Sequence, residues 1–119
     1  MGAGDEIRAH AGKLRAAPGK LRPLVVMATT KATIDTASGA RELAPVDTGY
    51  LRASITVETG TDGSTIYGEV TAGANYARWV ENGTPSGSHA PQPFMGPARE
   101  ANKPKWLAAM AQLGGKAVQ

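Results

Sequence analysis

Two short stretches carry residue types that could do chemistry. Asp47-Thr48-Gly49 spells the triplet on which aspartic proteases place a catalytic carboxylate. Such an enzyme needs two carboxylates sharing one proton, from two lobes or from a homodimer. It also needs an apolar strand running into the aspartate. Here the triplet follows Ala44-Pro45-Val46 and no second structural motif appears. Asp47 therefore reads as a capping residue at a chain reversal. Ser86, Ser88 and His89 could be put together on paper as nucleophile and base. They share a Gly/Pro loop, however, and such a loop does not fix catalytic geometry. His10 and His89 stand far apart with no ligand spacing around either, and the chain has no Cys. That leaves neither a metal site nor a disulfide framework to argue for. There is no Gly-Lys-Ser/Thr phosphate loop and no Gly-x-Ser-x-Gly elbow. Nothing in these residues points to an enzyme or a cofactor.

Charge is the next signal. Of the net +3, all sits in residues 1–22, where Arg8, Lys13, Arg15, Lys20 and Arg22 stand against Asp5 and Glu6. The remainder balances to zero. This divides the chain into a basic N-terminal arm, 1–22, with Lys13, Arg15, Lys20 and Arg22 its characteristic residues, and a single domain, 23–119. The arm is either solvated or in contact with a polyanion such as DNA. The aromatics lie away from it, which favours core or subunit-contact roles for them over nucleic-acid reading. The longest apolar run, Leu24 to Ala28, is too short to span a membrane. No secretory pattern opens the chain, so the reading is of a protein that starts in the cytoplasm.

The elements follow from periodicity. Residues 5–17 allow a short helix with Ile7, Ala11 and Leu14 on one face, interrupted by Pro18-Gly19. A longer helix is expected from Pro23 to about Leu43, with Leu24, Met27 and Ile34 as its apolar side and Ala28, Ala32, Ala37 and Ala40 permitting close packing. Its many Thr residues weaken its own propensity, so other contacts must hold it. Pro45 stops that helix. Asp47, Thr48, Gly49 and Leu51 then form a helix-to-sheet joint: Asp47 caps a short turn, Gly49 eases a tight start, and Leu51 anchors it in the core. Ser54–Thr59 alternates as a half-buried strand with Ile55 and Val57 inward. Gly60-Thr61-Asp62-Gly63 signals a hairpin. The return strand, Thr65 to Ala72, puts Ile66, Val70 and Ala72 on one face, and Gly68 marks a bulge or a close backbone approach. Asn75 reads as the cap of a two-turn helix closed by Gly83, with Tyr76, Trp79 and Val80 apolar. Thr84 to Pro93 is a long loop whose Pro85, Ser86, His89 and Pro91 suit partner contact. A last helix runs from Pro97 to Leu113, ended by Gly114-Gly115, with Pro104 kinking or splitting it. Tyr76, Trp79 and Phe94 are expected to cluster.

This is an α+β pattern: a small antiparallel sheet packed against a long helix and a C-terminal helix. Leu, Ile, Val and Phe together number 19 of 119 residues, thin for a self-sufficient core. Small domains of that kind often gain burial by oligomerising.

Three stretches stand in order: Ala44-Pro45-Val46-Asp47-Thr48-Gly49-Tyr50-Leu51-Arg52-Ala53-Ser54-Ile55, Asn75-Tyr76-Ala77-Arg78-Trp79-Val80-Glu81-Asn82-Gly83-Thr84, and Pro91-Gln92-Pro93-Phe94-Met95-Gly96-Pro97-Ala98. Together, over roughly residues 20–113, they resemble the gene-product-ten-like tail-component family of long-tailed bacteriophages. Trp79, Asn82 and Pro104 depart from its usual pattern. The resemblance implies a non-enzymatic virion protein of the neck, acting in head–tail joining or tail completion. It implies a homo-oligomeric ring, most often six-fold, between adjoining neck and tail proteins, with a lumen where non-specific contact with DNA is possible and no membrane partner. A small cytoplasmic nucleic-acid-binding accessory protein is the alternative.

Overall fold

A computed structural model describes residues 7–15, 21–45, 49–63 and 65–117. Its elements are β1 (Ile7–Arg15), α1 (Leu21–Leu43), α2 (Tyr50–Ala53), β2 (Ile55–Asp62), β3 (Thr65–Ala72), α3 (Ala77–Asn82) and α4 (Met95–Ala117). The architecture is the expected α+β one: an antiparallel sheet, ordered β1-β3-β2, with α1 lying on it and α4 against α1.

The return strand forms where the pattern put it, but the turn comes later: Gly60, Thr61 and Asp62 continue β2, paired with Tyr67, Ile66 and Thr65, and Gly63 follows at φ +61°. Val57, expected inward, is exposed, so only Ile55 of β2 is buried. Burial alternates strictly along β3. One side of β3 is core: Ile66 and Val70 are buried, as are Gly68 and Ala72. Gly68 is a close approach rather than a bulge. A Cβ placed there would sit on the Thr33 hydroxyl of α1, so this glycine sets how near the helix comes to the sheet. Gly39 is less constrained on the other side: a Cβ there would just touch Ala98 of α4, at 3.4 Å.

The N-terminal segment differs from the expectation. Residues 7–15 are not a helix; they form a strand paired to β3, with a register irregularity between His10 and Gly12. Ile7, Ala11 and Leu14 fit helical spacing, but pairing with an otherwise open β3 edge overrides so short a helical signal. Over those residues the segment belongs to the sheet and is not a detached arm.

The long helix packs closely on Ala32, Ala37 and Ala40 as read, but turns its expected apolar side outward. Leu24, Met27 and Ile34 are exposed, while Val25, Thr29, Ala32, Thr33, Thr36, Ala37 and Ala40 are buried. Close approach to Gly68 and Ala98 rewards small side chains, so the Thr/Ala face goes in. The buried hydroxyls are satisfied locally: Thr33 Oγ1 donates to the Thr29 carbonyl at 2.7 Å, and Thr36 Oγ1 to the Ala32 carbonyl at 2.7 Å. Trp106 of α4 is buried against Ala32 and donates its indole N–H to Thr29 Oγ1 at 3.0 Å, with Met110 packed alongside. α4 starts at Met95, runs unbroken through Pro104, and continues past Gly114-Gly115 to Ala117. Pro97 falls in its first turn, where no intrahelical N–H is needed. The main core gathers Leu51, Ile55, Val70, Phe94 and Met95 among small alanines.

Candidate partner-binding site

The joint, α3 and the following loop enclose a groove of about 340 Å³. Pro45, Gly49 and Leu51 form one wall, Tyr76, Trp79 and Val80 the other, and Thr84, His89, Ala90 and Gln92 the rim. From Gly49 on, the joint is a tight helical turn. Gly49 sits at φ +79°, a conformation that favours glycine, and its carbonyl accepts the Ala53 N–H at 2.9 Å. Ser54 Oγ donates to the Leu51 carbonyl at 2.7 Å, and Leu51 points into the core. Arg52 Nε donates to the Arg41 carbonyl at 3.0 Å, satisfying one of the last orphan carbonyls of α1. Asp47 and Thr48 lie outside the described residues, so their capping role does too.

Tyr76, Trp79 and Phe94 do not share one buried cluster. Phe94 is fully buried in the core, whereas Tyr76 and Trp79 remain 38% and 39% exposed on the groove. A two-turn helix has room to bury little, and only Ala77 of α3 goes under completely. Tyr76, not Asn75, precedes α3, and no side chain caps it; Gly83 closes it as read. Tyr50 stacks near Tyr76, with centroids 6.2 Å apart, and the Arg78 guanidinium lies 4.8 Å from the Trp79 ring centroid. The result is a ledge of Tyr, Trp and Arg. Those are the side chains that dominate protein–protein interfaces.

One residue that sequence reasoning missed organises this region. Glu81 on α3 accepts three main-chain N–H groups at the start of α4: Phe94 at 3.0 Å, Met95 at 2.9 Å and Gly96 at 3.0 Å. A carboxylate at that helix end meets both the orphan donors and the positive pole of the dipole. The local signal was only an acid in a short helix; the N-terminus it caps is 13 residues away.

The loop also has its own order. Thr84 and His89 exchange main-chain and hydroxyl bonds: Thr84 N–H to the His89 carbonyl at 3.1 Å, and His89 N–H to Thr84 Oγ1 at 3.1 Å. Gln92 N–H donates to the Val80 carbonyl at 2.7 Å. Gly83, at φ +79°, lies so close to Pro91 and the His89 carbonyl that a side chain would not fit. Pro85, Ser86, His89 and Pro91 are all exposed on this frame. Ser86 Oγ bonds Ser88 Oγ, and no described hydrogen bond ties either hydroxyl to the His89 imidazole. The arrangement holds a surface and assembles no nucleophile with a base.

Of the basic residues, Lys13 and Arg15 lie on β1 opposite Tyr67 and Thr65, Arg22 opens α1, and Lys20 is outside the described residues. Across the sheet the sign reverses. Glu58 and Glu69 are directly paired on β2 and β3, and the Tyr67 phenol is pushed above its usual range, chiefly by the Glu58 carboxylate beside it. Among the described residues no three His, Cys, Asp or Glu side chains gather as a metal site, and no helix is long and apolar enough to cross a membrane.

Comparison with known families places the chain beside phage proteins. Residues 8–83 fit the family described as "Bacteriophage HK97-gp10, putative tail-component". They take in β1, the joint and α3, and leave the Pro91–Ala98 stretch outside. No curated protein and no solved structure was found to match.

Proposed function

Since the chain belongs to the HK97-gp10-like family of bacteriophage tail components, we propose that it is a structural subunit of the phage neck. In this reading several copies form a ring, six-fold being the family's usual number, that joins the head connector to the tail tube and leaves a DNA passage. Its action is geometric and involves no catalysis or cofactor.

The observation that carries the reading beyond family membership is the amount of adhesive surface left open. Leu24, Met27 and Ile34 on α1, and Tyr50, Tyr76 and Trp79 around the groove, are exposed on a small chain. Such patches mark interaction sites. The groove and the loop carrying Pro85, Ser86, His89 and Pro91 suit an adjoining ring, and the α1 stripe suits a neighbouring copy. The basic residues Lys13, Arg15, Lys20 and Arg22 then face either an acidic protein surface or DNA.

The test is assembly in a phage lysate lacking this chain. Filled heads and separate tails should accumulate, and adding the purified protein should restore joined particles under negative-stain microscopy. Joined, infectious virions in its absence would overturn the proposal.

A further inference from the structure

Among the described residues, the strand order β1-β3-β2 leaves one unpaired edge on β1 and one on β2, and the two strands differ in charge. β1 contributes Arg8, His10, Lys13 and Arg15 and no acid; β2 contributes Glu58 and Asp62 and no base. The main chain tells which β2 groups are open. Gly73 N–H bonds the Ser54 carbonyl, so that phase of the strand faces β3. The Ile55 carbonyl turns the other way and accepts the Arg41 guanidinium at 2.8 Å. With a period of two, Val57, Thr59 and Thr61 also turn their N–H and C=O groups outward. Nothing described covers them. Val57 is 43% exposed although its register partner Val70 is fully buried. An uncovered strand edge is a template for pairing. Beside it runs the exposed stripe of α1: Val26 borders the hollow at Thr59 and Thr61, and Met27 and Ile34 continue outward.

We propose that the β2 edge receives the β1 edge of a second copy of this chain, so that the sheet continues from subunit to subunit. This rests on the ring reading above and gives it an interface. Charge decides the pairing. β1 against β1 sets cations against cations, and β2 against β2 sets carboxylates against carboxylates; β1 against β2 alone brings unlike charges together. That contact is head-to-tail, and a head-to-tail contact closes into a ring when its rotation permits. Both β1 and β2 run antiparallel to β3, so they share a direction. A ring whose axis follows the strands therefore joins them in parallel. The lengths agree, nine residues against eight. The same neighbour covers Met27 and Ile34.

The experiment uses two charge variants of the full chain, with mass measured by light scattering and folding checked by circular dichroism. One carries Glu58→Lys and Asp62→Lys, making both edges basic; the other carries Arg8→Glu, Lys13→Glu and Arg15→Glu, making both acidic. Each alone should lose the wild-type assembly, and an equimolar mixture should regain it as alternating copies. Val57→Pro, which removes an outward N–H and no ladder bond, should leave a folded monomer. If the acidic variant assembles alone, like edges are pairing and the proposal fails. If all three variants assemble as wild type does, this junction is wrong while the ring reading stands. A wild-type chain that stays monomeric at every concentration overturns both.

Discussion

The two faces of α1 invert the usual pattern. The face turned to the sheet and α4 buries three threonines, Thr29, Thr33 and Thr36, whereas the outer face exposes Leu24, Met27 and Ile34. On the inside, size outweighs polarity. Gly68 comes so close to Thr33 that a larger residue would not fit, Ala98 packs on Gly39, and each hydroxyl has a partner, which removes most of the cost of burying it. On the outside, apolar atoms stay in water because no described residue covers them. The contrast teaches that the inner face is shaped for a close fit within the chain, while the outer face is the one that the proposed ring would cover.

The strongest way to break the inner face is through its large residue. Trp106→Ala removes the side chain that fills the seam between α1 and α4, and should cost about 3–5 kcal/mol in urea unfolding. A loss under about 1 kcal/mol would mean that the seam is loosely packed.

A finer test separates the threonines. Thr29→Val keeps the shape but leaves the Trp106 indole N–H without its acceptor, and should cost about 1–3 kcal/mol. Thr36→Val deletes only a bond back to the Ala32 carbonyl, which retains its place in the helix, and should change stability by no more than about 0.5 kcal/mol. Equal losses from the two would show that the hydroxyls matter by number and not by partner.

The smallest effect on stability belongs to the outer face. Met27→Gln should leave the unfolding free energy within about 0.5 kcal/mol of wild type. It should nonetheless weaken self-association measured by sedimentation. A large loss of stability would mean that Met27 is packed within the subunit after all.

What could be read from the chain beforehand was local. The presence of a hairpin, the alternation of β3 and the Gly83 stop each depend on residues within a few positions of one another, although the turn itself falls after Asp62 and not at Gly60. Gly68 was recognisable as a contact point, though not Thr33 as what it contacts. The misreadings came from partners distant in sequence. Ile7 to Leu14 has spacing that suits a helix, and only the edge of β3, about fifty residues on, makes it a strand. Leu24, Met27 and Ile34 form a sound amphipathic pattern, but hydrophobic spacing says which face is apolar and not whether the partner lies in the same chain. The same holds for Trp79: its spacing makes it apolar-facing, but it lies on the groove and not with Phe94 in the core. The role of Glu81 depends on a helix that begins beyond the loop, so no local rule would have found it.

The Glu81 peg gives the molecule a mechanical property. It fixes one end of α4, and Trp106 pins the same helix near its middle against Thr29. The two fixed points are about 16 Å apart at 1.5 Å per residue, and the turns beyond Trp106 run about as far again. Between them Phe94, Met95 and Ala98 are buried, with Ala98 against Gly39, so the first half of α4 is clamped to the subunit. Past Trp106 the described side chains are exposed or half-buried. α4 is a bracket: its clamped half fixes the direction in which the other half projects, away from the groove.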